Sequence, residues 1–190
     1  MEKEYRRKRG EIFRLKIAII GAPGSGKGTQ AEIISKEFKL KHIIASEIIK
    51  KSIRKNNSIR KIIEHGDLLP ENIIEPIMRK YIPKENFIID GYPRKISQAR
   101  TLDKINKPDI ILVLDAPLIV FKKRLLKRAV IEKRIDDNEK IILHRFIVYN
   151  KETRPLLKYY KNRIIIIDAK GTPKNVNKKI RNSITHLQFQ

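Results

Sequence analysis

Cysteine is absent from the chain, which excludes disulfides and any Cys-ligated zinc site. Long apolar runs are absent too. None approaches the roughly 20 residues that span a bilayer, so no membrane association is expected. The four histidines, His42, His65, His144 and His186, are scattered, and each reads as structural or solvated. Acidic residues are scarce, with Asp+Glu 21 against Lys+Arg 44 and a formal net charge of +23. Such an excess attracts polyanions: nucleotides, nucleic acid or acidic headgroups. The basic residues run along the whole chain, as solvated surface would. No aromatic-rich strip accompanies them, which argues against a dedicated base-stacking platform.

The 190 residues suffice for one domain with a substantial core. Residues 1–14 are charged and include the cluster Arg6-Arg7-Lys8-Arg9. They lack the apolar segment of a secretory signal. A solvated basic arm ahead of a single domain over 15–190 is expected, in the cytoplasm, with nuclear targeting as the alternative use of the cluster.

The stretch Lys16–Gln30, KIAIIGAPGSGKGTQ, organises the rest. Ile17 to Ile20 reads as a buried strand. Gly21 to Lys27 fits G-x-x-x-x-G-K, and Thr29 to Phe38 follows with helical spacing. Strand, Gly-rich loop and helix in that order form a phosphate-binding loop. Its glycines let backbone N–H groups approach a phosphate, and the helix N-terminus adds partial positive charge. Gly24, Ser25, Gly26, Lys27, Gly28 and Thr29 are therefore candidate ATP-binding residues, with Lys27 reaching the β- and γ-phosphates.

Further strands are expected at 41–44, 86–90, 109–114 and 164–167. The intervening helices are expected at 47–54, 59–65, 73–81, 117–127, 136–158 and 173–187. Alternating strands and helices predict an α/β fold with a parallel sheet, whose ligands sit at the carboxyl ends of the strands. Gly21, Asp90 and Asp115 fall there. Asp90, at a strand end beside the phosphate loop, suits Mg²⁺ held through water. Arg94 offers a bidentate fork for phosphate.

GAPGSGKGTQ, IDGYPRKISQA and the Arg124–Arg145 region together resemble the adenylate kinase family of nucleoside monophosphate kinases, in its short-lid form. The resemblance covers about residues 17–180. It implies a P-loop NTPase-type five-stranded parallel sheet flanked by helices. It also implies a small helical monophosphate-binding insert at about 45–74 and a short lid at about 128–136. The implied reaction is reversible transfer of the ATP γ-phosphoryl group to a nucleoside monophosphate, with Mg²⁺, by a monomer. Carried over residue by residue, Arg94 holds the acceptor phosphate and Gln98 reads the adenine edge. Arg124 stacks on the ATP base, Arg128, Arg134 and Arg145 close on the phosphates, and the backbone near Gly171 touches the ATP adenine. Gly66-Asp67-Leu68-Leu69-Pro70 matches the segment lining the acceptor base, with Asp67, Leu68 and Leu69 as candidates. Gly91, Tyr92 and Pro93 complete the acceptor side.

Departures concentrate in Ala45-Ser46-Glu47-Ile48-Ile49-Lys50. There the family's Thr, Gly, Asp and Arg stand as Ala45, Ser46, Glu47 and Lys50. Ala45 and Lys50 are the candidate acceptor contacts here, and Glu47 is a second candidate near Mg²⁺. Ala and Glu also occur at these places in UMP-CMP kinases, which usually have Asn in place of Gln98. Weighing Gln98 more heavily gives AMP as the preferred acceptor, with UMP or CMP as the alternative. A degenerate kinase, or a nucleic-acid-associated protein on a kinase-like fold, are the remaining readings.

Overall fold

The computed structural model describes residues 14–53, 57–132 and 138–188. Five strands form one parallel sheet: β1 (Lys16–Gly21), β2 (Lys41–Ile44), β3 (Phe87–Asp90), β4 (Ile110–Asp115) and β5 (Ile164–Asp168). Their order is β2-β3-β1-β4-β5. Ile19 pairs with Asp90 on one side of β1, and Gly21 with Leu114 on the other.

The strands read as near-continuous apolar runs because both faces of a parallel sheet are covered. Alternate residues split between two cores. Ile17 and Ile19 of β1, Ile88, Leu112, Leu114 and Ile167 belong to one. They meet α1 (Lys27–Glu37), α6 (Leu118–Glu132), α7 (Glu139–Val148) and α9 (Pro173–Gln188). Ala18, Ile20, Ile43, Ile89, Ile111 and Val113 belong to the other. They meet α2 (Ala45–Ser52), α4 (Glu71–Tyr81), α5 (Ile96–Asn106) and α8 (Leu156–Tyr159). Each fully buried Ile contributes about 1.5–3 kcal/mol, so the β1 run alone anchors both layers. α3 (Asn57–Glu64) lies between α2 and α4 in sequence and turns at Gly66, whose φ is 87°.

Two expectations need correction. The helix expected over 136–158 is not continuous: α7 ends at Val148, a π-helical turn covers Tyr149–Thr153, and α8 follows. Pro155 is the cause, since it has no N–H to donate into the preceding turn. Arg154 N instead reaches back five residues to Tyr149 O at 2.9 Å. The second correction is α5, which the apolar pattern concealed. Its buried positions are Gln98, Ala99 and Leu102, so a polar residue occupies the buried stripe. The start of the expected helix, residues 133–136 of the lid and residues 1–13 of the basic arm lie outside the described residues. Among the described residues no helix is long and apolar enough to cross a membrane.

Candidate active site

β1 ends at Gly21 and α1 begins at Lys27, so residues 22–26 make the turn. Gly24 has φ +78°, and a Cβ there would stand 2.6 Å from Phe121 O, so the loop packs directly on α6. Gly26, the N-cap of α1 at φ +91°, faces open space. A loop with one glycine against protein and the next against a void can offer its N–H groups to an anion.

Lys27 folds back over this loop. Its Nζ donates to Gly21 O at 2.7 Å and Ala22 O at 3.1 Å. Part of its surface stays accessible, but protein crowds the ammonium. Burial brings its pKa from 10.5 down to about 8. Asp90 opposes that shift, while the charges of Arg94, Arg145 and Arg128 add to it. Three guanidinium groups, from the loop after β3, α7 and α6, are therefore within electrostatic reach of the Lys27 ammonium.

Asp90 closes β3, and its Oδ2 would lie 3.4 Å from a Cβ at Gly28. The Tyr92–Pro93 peptide that follows is cis. Arg94 is pinned at three points. Its N–H donates to Gln98 Oε1 at 2.8 Å, its Nε to Gly91 O at 3.0 Å, and Thr153 Oγ1 donates to its carbonyl at 2.9 Å. Burial lowers the Arg94 pKa, opposed by Asp90, yet a guanidinium stays charged at any working pH. His42 on β2 feels the charges of Asp90, Glu32 and Glu47. Burial pulls its pKa down and the three carboxylates pull it back. Among the described residues no three His, Cys, Asp or Glu side chains gather as a metal cage.

Three cavities surround this centre. The middle one is lined by Lys27, Arg94, Arg145, Tyr149 and Thr153, among others. Burial, then the charge of Asp115, raises the Tyr149 pKa. On the β3 side a cavity of about 70 Å³ lies between Ser46, Ile63, Leu68, Leu69 and Gln98. On the β4 side a cavity of about 220 Å³ opens between Gly26, Thr29, Arg124, Arg128 and Gly171. Arg124 Nη2 donates to Ala169 O at 2.8 Å and to Gly171 O at 2.9 Å, tying α6 to the loop after β5. On the other flank His144 Nε2 lies 2.7 Å from Asp67 Oδ1, joining α7 to the turn after α3.

The structure thus brings Lys27, Arg94, Arg128 and Arg145 to one centre, with Gln98, Leu68 and Leu69 on one side and Arg124 and Gly171 on the other. Gly91 and Pro93 also line the middle cavity, Asp67 the β3-side one, and Gly24, Ser25, Gly26 and Thr29 the β4-side one, whereas Ala45, Tyr92, Glu47 and Lys50 line none of the three. Ala45 is fully buried beneath Gly91. Tyr92 is 1 % exposed in the core, its hydroxyl without a partner among the described residues. Lys50 and Glu47 lie exposed on α2. Arg134 is outside the described residues. Thr153 and Tyr149 carry no motif that singles them out. Only the GKGTQ string, in which Gln30 follows the phosphate loop, gives a local signal.

Comparison with known proteins agrees with this geometry. A family model described as adenylate kinase matches residues 19–165. Adenylate kinase from Prochlorococcus marinus is 38% identical over 178 residues, covering 87% of this chain and 96% of that protein. Adenylate kinase 1 of Schistosoma mansoni is 33% identical over 180 residues, covering 88% and 91%. Adenylate kinase from Thermus thermophilus is 33% identical over 176 residues, covering 87% and 94%. With the motif match extending over most of the sheet and the site, the chain belongs to the adenylate kinase family.

Proposed function

We propose that the protein transfers the γ-phosphoryl group of ATP to AMP, reversibly, giving two ADP. One observation carries this reading: a central cluster of Lys27, Arg94 and Arg145 with a separate cavity on each flank. That is the layout for two nucleotides meeting through their phosphates. The relatives named above are adenylate kinases, which favours AMP over UMP or CMP and disfavours a kinase-like platform for nucleic acid.

In this reading the loop amides from Gly24 to Thr29 and the Lys27 ammonium cradle the donor phosphates. Arg94, held by Gly91, Gln98 and Thr153, orients the acceptor phosphate. An oxygen of that phosphate attacks the γ-phosphorus in line as the bond to the β,γ-bridging oxygen breaks. The reaction needs positioning and charge neutralisation rather than covalent help, and Arg128, Arg134 and Arg145 supply the charge. Closure of the lid over residues 128–136 excludes water and suppresses hydrolysis. Asp90 suits Mg²⁺ because a magnesium ion already on nucleotide phosphates takes one or two carboxylates, directly or through water, and no cage. Bound there, the metal neutralises phosphate charge. Asp90 would hold it, with Glu47 as a second group.

Gln98 is the acceptor-base reader, through its Nε2 donors, since its Oε1 already accepts from Arg94 N. The protein works as a cytoplasmic monomer. A coupled assay of ATP against AMP, UMP, CMP, dCMP and GMP tests the reading. The expected order places AMP first in kcat/KM, and a higher value for CMP or UMP would overturn it.

A further inference from the structure

We propose that Gln30 is a positioning residue for the donor base. It locks the loop that walls the base cavity onto the phosphate-binding helix. This rests on the reading of the β4-side cavity as the ATP site.

Gln30 lies in the first turn of α1 and is 2 % exposed. Its Nε2 donates to Pro173 O at 2.9 Å, a partner 143 residues away in sequence. Its Oε1 has no partner among the described residues. That asymmetry sets the amide. Turned over, it would place Oε1 against the Pro173 carbonyl, acceptor to acceptor, and lose the Nε2 bond. Across the cavity, Arg124 of α6 donates to Ala169 O and Gly171 O of the same loop. Gln30, Arg124, Gly171 and Pro173 all line the cavity. The loop is therefore gripped from two elements, one on each wall, and Gln30 is the grip that belongs to the phosphate-binding helix itself. Between the grips Gly171 has φ +99° and only Asn175 near its would-be Cβ, at 3.9 Å. The start of the loop is tied to the end of β4 as well, where Ala169 N–H donates to Asp115 O at 2.7 Å.

The consequence is a division of labour. Phosphate affinity resides in residues 24–29 and does not depend on where the 169–173 loop sits. Base affinity depends on that loop being held at one distance from the phosphates. Removing the Gln30 donor then weakens ATP and leaves its phosphate chain alone unaffected.

The test is calorimetric titration of the full chain with ATP and with inorganic tripolyphosphate. Wild type is compared with Gln30→Met, which keeps length without a donor, and Gln30→Glu, which sets a carboxylate against the Pro173 carbonyl. Losing one partly buried hydrogen bond should raise the ATP Kd about three- to tenfold in Gln30→Met, and more in Gln30→Glu. Tripolyphosphate affinity should not move, which also reports that the variants are folded. KM for ATP should rise by the same factor while kcat and KM for AMP hold. Equal weakening of both ligands would reduce Gln30 to support of the phosphate loop and overturn the proposal, as would unchanged ATP affinity in both variants. A wild-type protein that binds ATP no better than tripolyphosphate would sink the assignment of the cavity itself, and the proposal with it.

Discussion

Lys27 should take up a proton when ATP binds, and the amount can be worked out. Burial leaves its pKa at about 8 in the free protein. Phosphate oxygens at its ammonium favour the charged form and restore the pKa to its ordinary range of about 10.4 or above. At pH 7 the free lysine is about nine-tenths protonated, so binding takes up about 0.1 proton. At pH 8.5 about a quarter is protonated and uptake is about 0.75, and at pH 9 it approaches 0.9. The sign follows by linkage: a bound state that holds more protons loses affinity as pH rises. ATP should bind about tenfold more weakly at pH 9 than at pH 7. Titrations at pH 8.5 in two buffers of different ionisation enthalpy measure the uptake directly. Magnesium is kept saturating so that the nucleotide's own phosphate does not titrate. Lys27→Arg, charged throughout, should show neither uptake nor the pH slope. Zero uptake by the wild type at pH 8.5, or equal slopes for both proteins, would refute the placement of a desolvated ammonium at the phosphate site.

Arg94→Ala should cost on the order of 2–4 kcal/mol in kcat/KM for AMP, about 30- to 1,000-fold, because a buried charge-assisted contact is lost; unchanged kinetics would remove Arg94 from the site. Gly24→Ala should lower stability by about 1–3 kcal/mol in a denaturant titration, through strain at positive φ and collision with the Phe121 carbonyl 2.6 Å away; a wild-type midpoint would show the loop to be more pliable than its packing on α6 implies. The +23 surface should bind nucleic acid weakly, with affinity falling steeply with salt by counterion release; fluorescence anisotropy at several salt concentrations measures it, and tight, sequence-selective binding at physiological salt would contradict the enzyme reading.

Much of this was legible in the residues. The strands showed themselves because a parallel sheet covered on both faces demands unbroken runs such as Ile110 to Leu114. The phosphate loop showed itself because its glycines, lysine and helix are contiguous in the chain. What stayed hidden depends on partners distant in sequence. Helix α5 was masked by Gln98, a polar side chain buried because its Oε1 accepts from Arg94 N. That same bond changes the acceptor-base argument: the amide does not meet the base with donor and acceptor equally free. The π turn is a response to Pro155, and the chain could equally have ended the helix there. Burial of Ala45 under Gly91 turns an expected ligand contact into a packing residue. The hydrogen bonds of Gln30 and Thr153 span 143 and 59 residues, and no local pattern announces either.

The position of β1 between β3 and β4 has an evolutionary side. The chain from α2 to α5 builds the β3-side cavity, from Ser46 to Gln98. The chain from α6 onward builds the rest of the β4-side cavity, whose walls beyond the phosphate loop run from Arg124 to Val176. The two sets of residues do not interleave in sequence. Mutations that retune one substrate therefore fall in a block that recombination or drift can alter without touching the other. Of the odd residues of this chain, Ser46, Glu47 and Lys50 fall within the first block and Ala45 directly precedes it. A lineage can vary that block without changing the residues that build the donor half.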